Sequence, residues 1–106
     1  MPQSVTNPMA LGAGETVWRT FNFGDGMDTA NGETLSGPPQ VTIVDDAGID
    51  PTPQSRLLSP AQVVGPAVTI QIGTAVAGAV YRITVICPTT GNQTLELWTL
   101  QACEAA

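Results

Sequence analysis

From Ala79 to Cys87 the chain alternates with a period of two. Ala79, Tyr81, Ile83, Val85 and Cys87 fall on one side, while Arg82 and Thr84 fall on the other. Successive strand side chains point to opposite faces, so this pattern predicts a strand with one face in a core. Pro88-Thr-Thr-Gly-Asn92 follows, a run of turn formers in which a Gly or Asn is free to take positive φ. A second apolar run, Gln93 to Cys103, completes a predicted hairpin about Thr90.

The rest of the chain has the same character. A length of 106 residues suits one domain, large enough to bury roughly two-thirds of its unfolded surface. Charged residues are sparse and Gly, Pro, Thr and Val are frequent, which favours strands joined by turns. No window carries a sustained helical period with caps, and the best helical candidate, Ser59 to Val64, is too short to build on. Strands are expected at Thr16 to Phe23, with Val17, Phe21 and Phe23 on one face and Trp18 on the other, at Gln40 to Val44, and at Pro66 to Ile72. Pro51, Pro53 and Pro60 make Ile49 to Pro60 a loop. In the last strand Leu95 and Leu97 share one face, but Trp98, Leu100 and Ala102 share the other. That phase slip predicts a bulge, or a strand covered on both sides.

Five to seven short strands separated by turn signals point to an all-β antiparallel sandwich over residues 15–106, with an open barrel second. The chain lacks widely spaced cysteines bracketing a tryptophan, which speaks against an antibody-type domain but leaves a broader immunoglobulin-like sandwich open. Residues 1–14 are aperiodic and rich in breakers, and read as an N-terminal arm whose Val5, Met9 and Leu11 offer apolar surface for docking. The segment from Gly24 to Glu33 carries Asp and Asn, but lacks the alternating ligands and closing acid of a calcium loop. It reads as a turn-rich connection, and no metal or cofactor is expected.

Charge and missing residue types narrow function further. Nine acids oppose three arginines (Arg19, Arg56, Arg82), for a net charge of −6, and neither lysine nor histidine occurs. Nucleic acid and anionic membrane are therefore not expected partners, and no apolar run is long enough to span a bilayer. Met1-Pro-Gln-Ser lacks the basic start of a secretory signal, so synthesis in a cytoplasm is expected. Without histidine there is no Ser-His or Cys-His pair and no imidazole base; without lysine there is no Schiff base. The acids sit mostly beside Gly, Pro or another acid, as turn residues do. No enzyme activity is expected.

The hairpin geometry also bears on the two cysteines. A turn about Thr90 sets Cys87 opposite Gln93 and Cys103 near residue 77, about 33 Å apart along the strands. A disulfide needs Cα atoms within about 7 Å. Two small buried hydrophobes are the simpler reading, and a bridge between subunits the sharper one.

Several segments together carry a resemblance. Phe21-Asn-Phe23 leads through Asp25 and Met27 to Gly32-Glu33-Thr34-Leu35; later come Val68 to Ile72, the Gly73 to Tyr81 loop, Arg82 to Val85, and Thr89-Thr90-Gly91 before Thr94 to Leu97. This resembles a group of small tailed-phage virion proteins, described as fibre–tail adaptors or head-associated proteins. In that group an aromatic-Asp segment precedes a Gly-Glu-Thr/Ile turn. A Gly-Gly-x-x-Gly-x-x-Tyr loop then enters a strand ending in Thr-Thr-x-x-Gly. Here Gly73-Thr74 stands where paired glycines are common, and the loop near Pro51 is longer. The match spans roughly residues 16–101, on glycines, aromatics and turns. It implies an immunoglobulin-like sandwich with no catalytic or cofactor residues to carry over. Gly32, Gly73, Gly78 and Gly91 are its structural turn positions, with Gly73 and Gly78 supplying backbone angles that other residues resist, and the Tyr81 hydroxyl is placed at the rim.

The resemblance implies a structural role in a virion, in many copies or as a homo-oligomer, with capsid or tail proteins as partners. Trp18, Trp98 and Leu100 are the contact candidates on the body, because aromatics dominate interface energetics. The competing reading is a glycan-binding module, with Trp18 or Trp98 as a stacking platform and Asp45, Asp46 and Asn92 as hydrogen-bonding groups.

Overall fold

The computed structural model describes residues 3–4, 10–24, 27 and 31–104. Its strands are β1 (Gln3–Ser4), β2 (Leu11–Gly12), β3 (Thr16–Asn22), β4 (Gln40–Asp45), β5 (Gln62–Val64), β6 (Ala67–Gly73), β7 (Val80–Pro88) and β8 (Thr94–Glu104), with one 3-10 turn at Pro53–Arg56. One sheet runs β8–β7–β4, with β1 and β2 both beside β8 and parallel to it; the other runs β3–β6–β5. All other pairings are antiparallel. The chain crosses between sheets from β2 to β3, from β3 to β4, from β4 to β5 and from β6 to β7. This is an immunoglobulin-like sandwich.

Alternating strands build the core. In β7 the predicted inward set is buried from Tyr81 to Cys87, at 2% exposure or less. Val68, Ile70 and Ile72 of β6 face it, as do Phe21 and Phe23 from β3 and its exit. Ile43 and Leu97 fill in from β4 and β8, and Leu11 closes one end. Leu11 was expected at an interface; it is 1% exposed in this chain's own core, because β2 pairs with Cys103 and Glu104. The segment expected as an N-terminal arm thus joins the sheet beside β8 at both Gln3–Ser4 and Leu11–Gly12. Val5 and Met9 lie outside the described residues, as does most of the turn-rich connection between Gly24 and Glu33.

Two expectations about the hairpin are corrected. Its turn centres on Gly91 rather than Thr90, so Cys87 lies opposite Leu95 and Val80 opposite Ala102. The shift is two residues, and an even shift leaves every side chain on its predicted face. The loop is a type I turn from Thr89 (Asn92 N–H to Thr89 O, 3.3 Å) closed by Asn92 at φ 63, a usual three-residue hairpin loop. β8 carries no bulge, since its pairing with β7 is continuous from Thr94 to Ala102. Its inward face is Leu97, Thr99, Gln101 and Cys103, so the polar pair Thr99 and Gln101 created the phase slip. Gln101 is held inside by Arg19 of the opposite sheet, whose Nε donates to Gln101 Oε1 at 2.8 Å.

The stretch around the weak helical candidate contains the short strand β5. Upstream, in the Pro-rich loop, Leu57 makes a bridge to Ile72 of β6. The 3-10 turn in that loop also seals a sheet edge. Gln54 Oε1 accepts from Ile43 N–H at 2.8 Å, and Gln54 Nε2 donates to Val41 O at 2.9 Å. A side-chain amide thereby occupies the backbone groups that β4 turns away from β7.

Candidate functional site

Among the described residues, two surfaces and two polar clusters hold the sequence-predicted site residues and the densest polar contacts. The first surface is the outer face of the larger sheet. Register sets Val44, Arg82 and Leu100 in one row, and Thr42, Thr84 and Trp98 in the next. Trp98 and Leu100 are half-buried, while Val44 is exposed. The Arg82 guanidinium lies over the Trp98 ring at 4.9 Å from its centroid, close enough for a cation–π contact. Arg82 also pairs with Asp46 at 3.1 Å, in an exposed ion pair. The second surface is the outer face of the smaller sheet, where Trp18 is 51% exposed and lies opposite Gln71. The two tryptophans therefore lie on opposite sides of the sandwich and belong to separate contact surfaces.

The first polar cluster sits where β4 and β7 begin to diverge. Asp45 accepts backbone N–H groups from Ala47, Ile49, Asp50 and Val80 at 2.7–3.1 Å, which shapes the turn after β4. Burial pushes its carboxyl up, but these donors outweigh burial and hold it below the usual carboxylate value. Asp50 accepts the Tyr81 hydroxyl at 2.7 Å and the Thr52 N–H at 2.8 Å. Arg56 Nε lies 3.1 Å from Asp50 Oδ2, although its N–H is not aimed for a hydrogen bond. Here too burial raises the carboxyl, and the Thr52 and Tyr81 bonds with the Arg56 charge bring it down. Tyr81 in turn accepts from Val76 N–H at 2.9 Å. A tyrosine at the start of this strand, bonded back to the preceding connection, is the tyrosine corner of immunoglobulin-like folds. Burial, with the Asp50 bond and charge, pushes its phenol to about 12.

The second cluster lies under the hairpin tip. Buried Glu33 accepts from Thr89 Oγ1 at 2.6 Å and from Gln93 Nε2 at 2.9 and 3.0 Å. Thr34 and Thr90 exchange two more bonds, Thr90 N–H to Thr34 O at 2.8 Å and Thr34 N–H to Thr90 Oγ1 at 3.0 Å. Gly91 is required because a Cβ there would stand 2.8 Å from Glu33 Cδ and closer still to its carboxylate oxygen. Gly73 is required for the same kind of reason: a Cβ would meet Thr16 Oγ1 at 2.7 Å and Leu58 Cδ1 at 2.9 Å. The positive φ expected at Gly73 falls instead on Thr74 (φ 52), whereas Gly32 and Gly78 do take positive φ.

In each cluster a hydroxyl donates to a carboxylate, Tyr81 to Asp50 and Thr89 to Glu33. Among the described residues no group of three or more Cys, Asp and Glu is placed to hold a metal ion. Both thiols are buried and free, and burial raises each above its ordinary value. Cys103 donates its N–H to Ala79 O, eight residues along β8 from the Cys87 pairing, so about 26 Å separates the two. Among the described residues no helix is long and apolar enough to cross a membrane.

Comparison with protein-family models, curated proteins and solved structures gives no match.

The groups suggested for a glycan site do not converge. Asp45 is committed to four backbone donors, Asp46 to Arg82, and Asn92 lies at the far end of β7 from both. Sequence reasoning missed Asp50, Arg56 and Glu33 as the organisers of buried polar clusters. Asp50 and Arg56 meet Tyr81 from 31 residues away and Thr74 from 18, and Glu33 meets Thr89 and Gln93 from 56 and 60, so no local pattern marks these contacts.

Proposed function

We propose that this chain is a non-enzymatic structural protein of a tailed phage particle. It docks as a rigid sandwich on capsid or tail subunits, as a fibre–tail or neck adaptor or as a capsid decoration protein. The observation that carries the reading is the clasp between Glu33 and the hairpin tip. The Gly-Glu-Thr-Leu turn and the Thr-Thr-Gly turn are the two separated halves of the resemblance, and Glu33 bonds Thr89 across 56 residues. A motif whose distant halves bind each other is a folding motif, which suits a family defined by its body rather than by a reaction.

Two further features support a contact role. Trp18 and Val44 stand exposed on opposite faces, with Leu100 half-buried in Val44's row and Trp98 half-buried in the next. The carboxylates of half-buried Asp45 and of buried Asp50 and Glu33 are occupied by structural donors, which suits scaffolding better than acid–base work. A net charge of −6 keeps such a body soluble until it meets its site.

Gold-labelled antibody against this chain, imaged on purified particles from a strain carrying its gene, tests the reading. Label over the heads supports decoration; label at the neck or tail tip supports an adaptor. Protein found only in the cell, with intact and opened particles unlabelled, overturns it. Specific binding on a glycan array would favour the module reading instead.

A further inference from the structure

Among the described residues the sandwich leaves one long sheet edge open. The β4 edge is sealed by Gln54, the free side of β8 carries β1 and β2, and β5 is three residues long between Pro60 and Pro66. β3 is seven residues long and, among the described residues, pairs with β6 alone. Its ladder phase follows from two bonds. Phe23 N–H donates to Pro66 O on the β6 side, and Leu58 N–H reaches Gln71 O on the far side of β6, both at 2.9 Å. In an antiparallel ladder these bonds turn the N–H and C=O of Thr16, Trp18, Thr20 and Asn22 away from β6. Of these outward groups, Trp18 O accepts one side-chain bond, from Arg19 Nη1 at 3.3 Å. The edge carries no proline, no lysine and no bulge, the devices that usually discourage pairing.

We propose that β3 pairs with β3 of a second copy of this chain, antiparallel about a twofold axis at Trp18. The two three-stranded sheets then become one six-stranded sheet. The strand is self-complementary in this register. Trp18 exchanges both backbone bonds with Trp18 of the second copy, and Thr16 does so with Thr20. The outer-face pairs are Trp–Trp and Thr–Thr, which favour cross-strand contact. Arg19 falls opposite Val17 rather than opposite another Arg19, and Glu15 falls on the diagonal to the Arg19 of the second copy. Moving the axis to Arg19 would set like charges face to face.

Charge singles out the same edge. Copies of a chain with net charge −6 repel one another over most of their surface. β3 holds no carboxylate and one arginine, so it is a place where two copies meet without that penalty. The inference does not depend on the virion reading.

Sedimentation equilibrium of the full chain over a wide concentration range tests it. The expected result is a rise in mass from 10.9 kDa toward twice that value. Trp18→Lys and Thr20→Pro should hold the chain at the monomer mass with an unchanged circular dichroism spectrum. Proline is tolerated at an edge position whose N–H points outward, so the second variant blocks pairing without entering the core. Trp18→Cys should be captured as a dimer by a short bismaleimide, whereas the exposed control Val64→Cys should not. A wild-type chain that stays at 10.9 kDa throughout overturns the proposal. So does a dimer that survives both edge variants, or equal capture of the two cysteine variants.

Discussion

Arg19 Nε and Gln101 Oε1 meet at 2.8 Å between the sheets, joining β3 to the inner face of β8. Gln101 is fully buried, and its own Nε2 donates to Ala102 O at 2.9 Å. Removing the acceptor strips a partly buried cation of one partner, which costs about 1–3 kcal/mol. Gln101→Leu should therefore lower the urea midpoint. Arg19→Met with Gln101→Leu should cost less than the two single changes summed, because the double variant removes the polar groups together. Strict additivity would show that the bond contributes nothing.

The clasp at the hairpin tip predicts an unusually intolerant glycine. Gly91→Ala places a methyl against Glu33, which must leave its pocket along with its bonds to Thr89 and Gln93. Overpacking of this kind costs roughly 1–3 kcal/mol. Glu33→Ala in the same chain should make Gly91→Ala nearly neutral, read by thermal melting of the four chains in the cycle.

Acid should unfold the chain through Asp45 and Asp50. Both carboxyls are held below their ordinary value of 3.8 in the fold, so near and below that value the folded state binds fewer protons than the unfolded one. Stability is present above pH 3.8 and is lost as pH falls through the folded values. Asp50→Asn should flatten the acid limb while lowering stability at pH 7. An unchanged acid limb would refute the assignment.

Alkali should act through Tyr81. Its phenol is raised from 10.0 to about 12, so the unfolded chain releases the proton first and stability falls between those values. The raised thiols of Cys87 and Cys103 act with the same sign, starting near 9. Tyr81→Phe should cost about 1–2 kcal/mol at neutral pH. It should also remove the tyrosine part of the alkaline limb, leaving the thiol part.

The thiols themselves should be silent in the native state. Cys87 is 0% exposed and Cys103 4%, so a maleimide should label each at the rate at which the chain opens. Label uptake should rise with urea in step with unfolding. Rapid labelling without denaturant would contradict their burial.

The strands that sequence made legible are those whose inward residues are all apolar. β7 alternates throughout and β6 alternates from Val68 to Ile72, so their faces were readable from Val68 to Ile72 and from Tyr81 to Cys87. β8 misled because Thr99 and Gln101 occupy core positions, and Gln101's partner Arg19 lies 82 residues earlier in the chain. β5 was hidden by its length and by flanking breakers at Pro60, Gly65 and Pro66. The Tyr81 hydroxyl was expected at the rim, but it meets buried Asp50, which sits in a Pro-rich loop that shows no period. Gly73 and Gly91 were marked as turns, yet what demands them is a side chain pressed against the backbone from another segment. Local pattern reports which way a side chain points; it does not report what comes to meet it.

Gln54 has a consequence for polymerisation. A sheet grows by adding strands at its edges, and a molecule with two usable edges can add neighbours without limit. Here the amide of Gln54 imitates a neighbouring strand at Val41 and Ile43, so β4 cannot accept one there. Two copies joined at β3 would have used the one long open edge among each copy's described residues, and the assembly would terminate at a closed pair. One glutamine in a proline-rich loop thus works as a chain stopper, and Gln54→Ala is the change that would convert a closed pair toward an open-ended fibre.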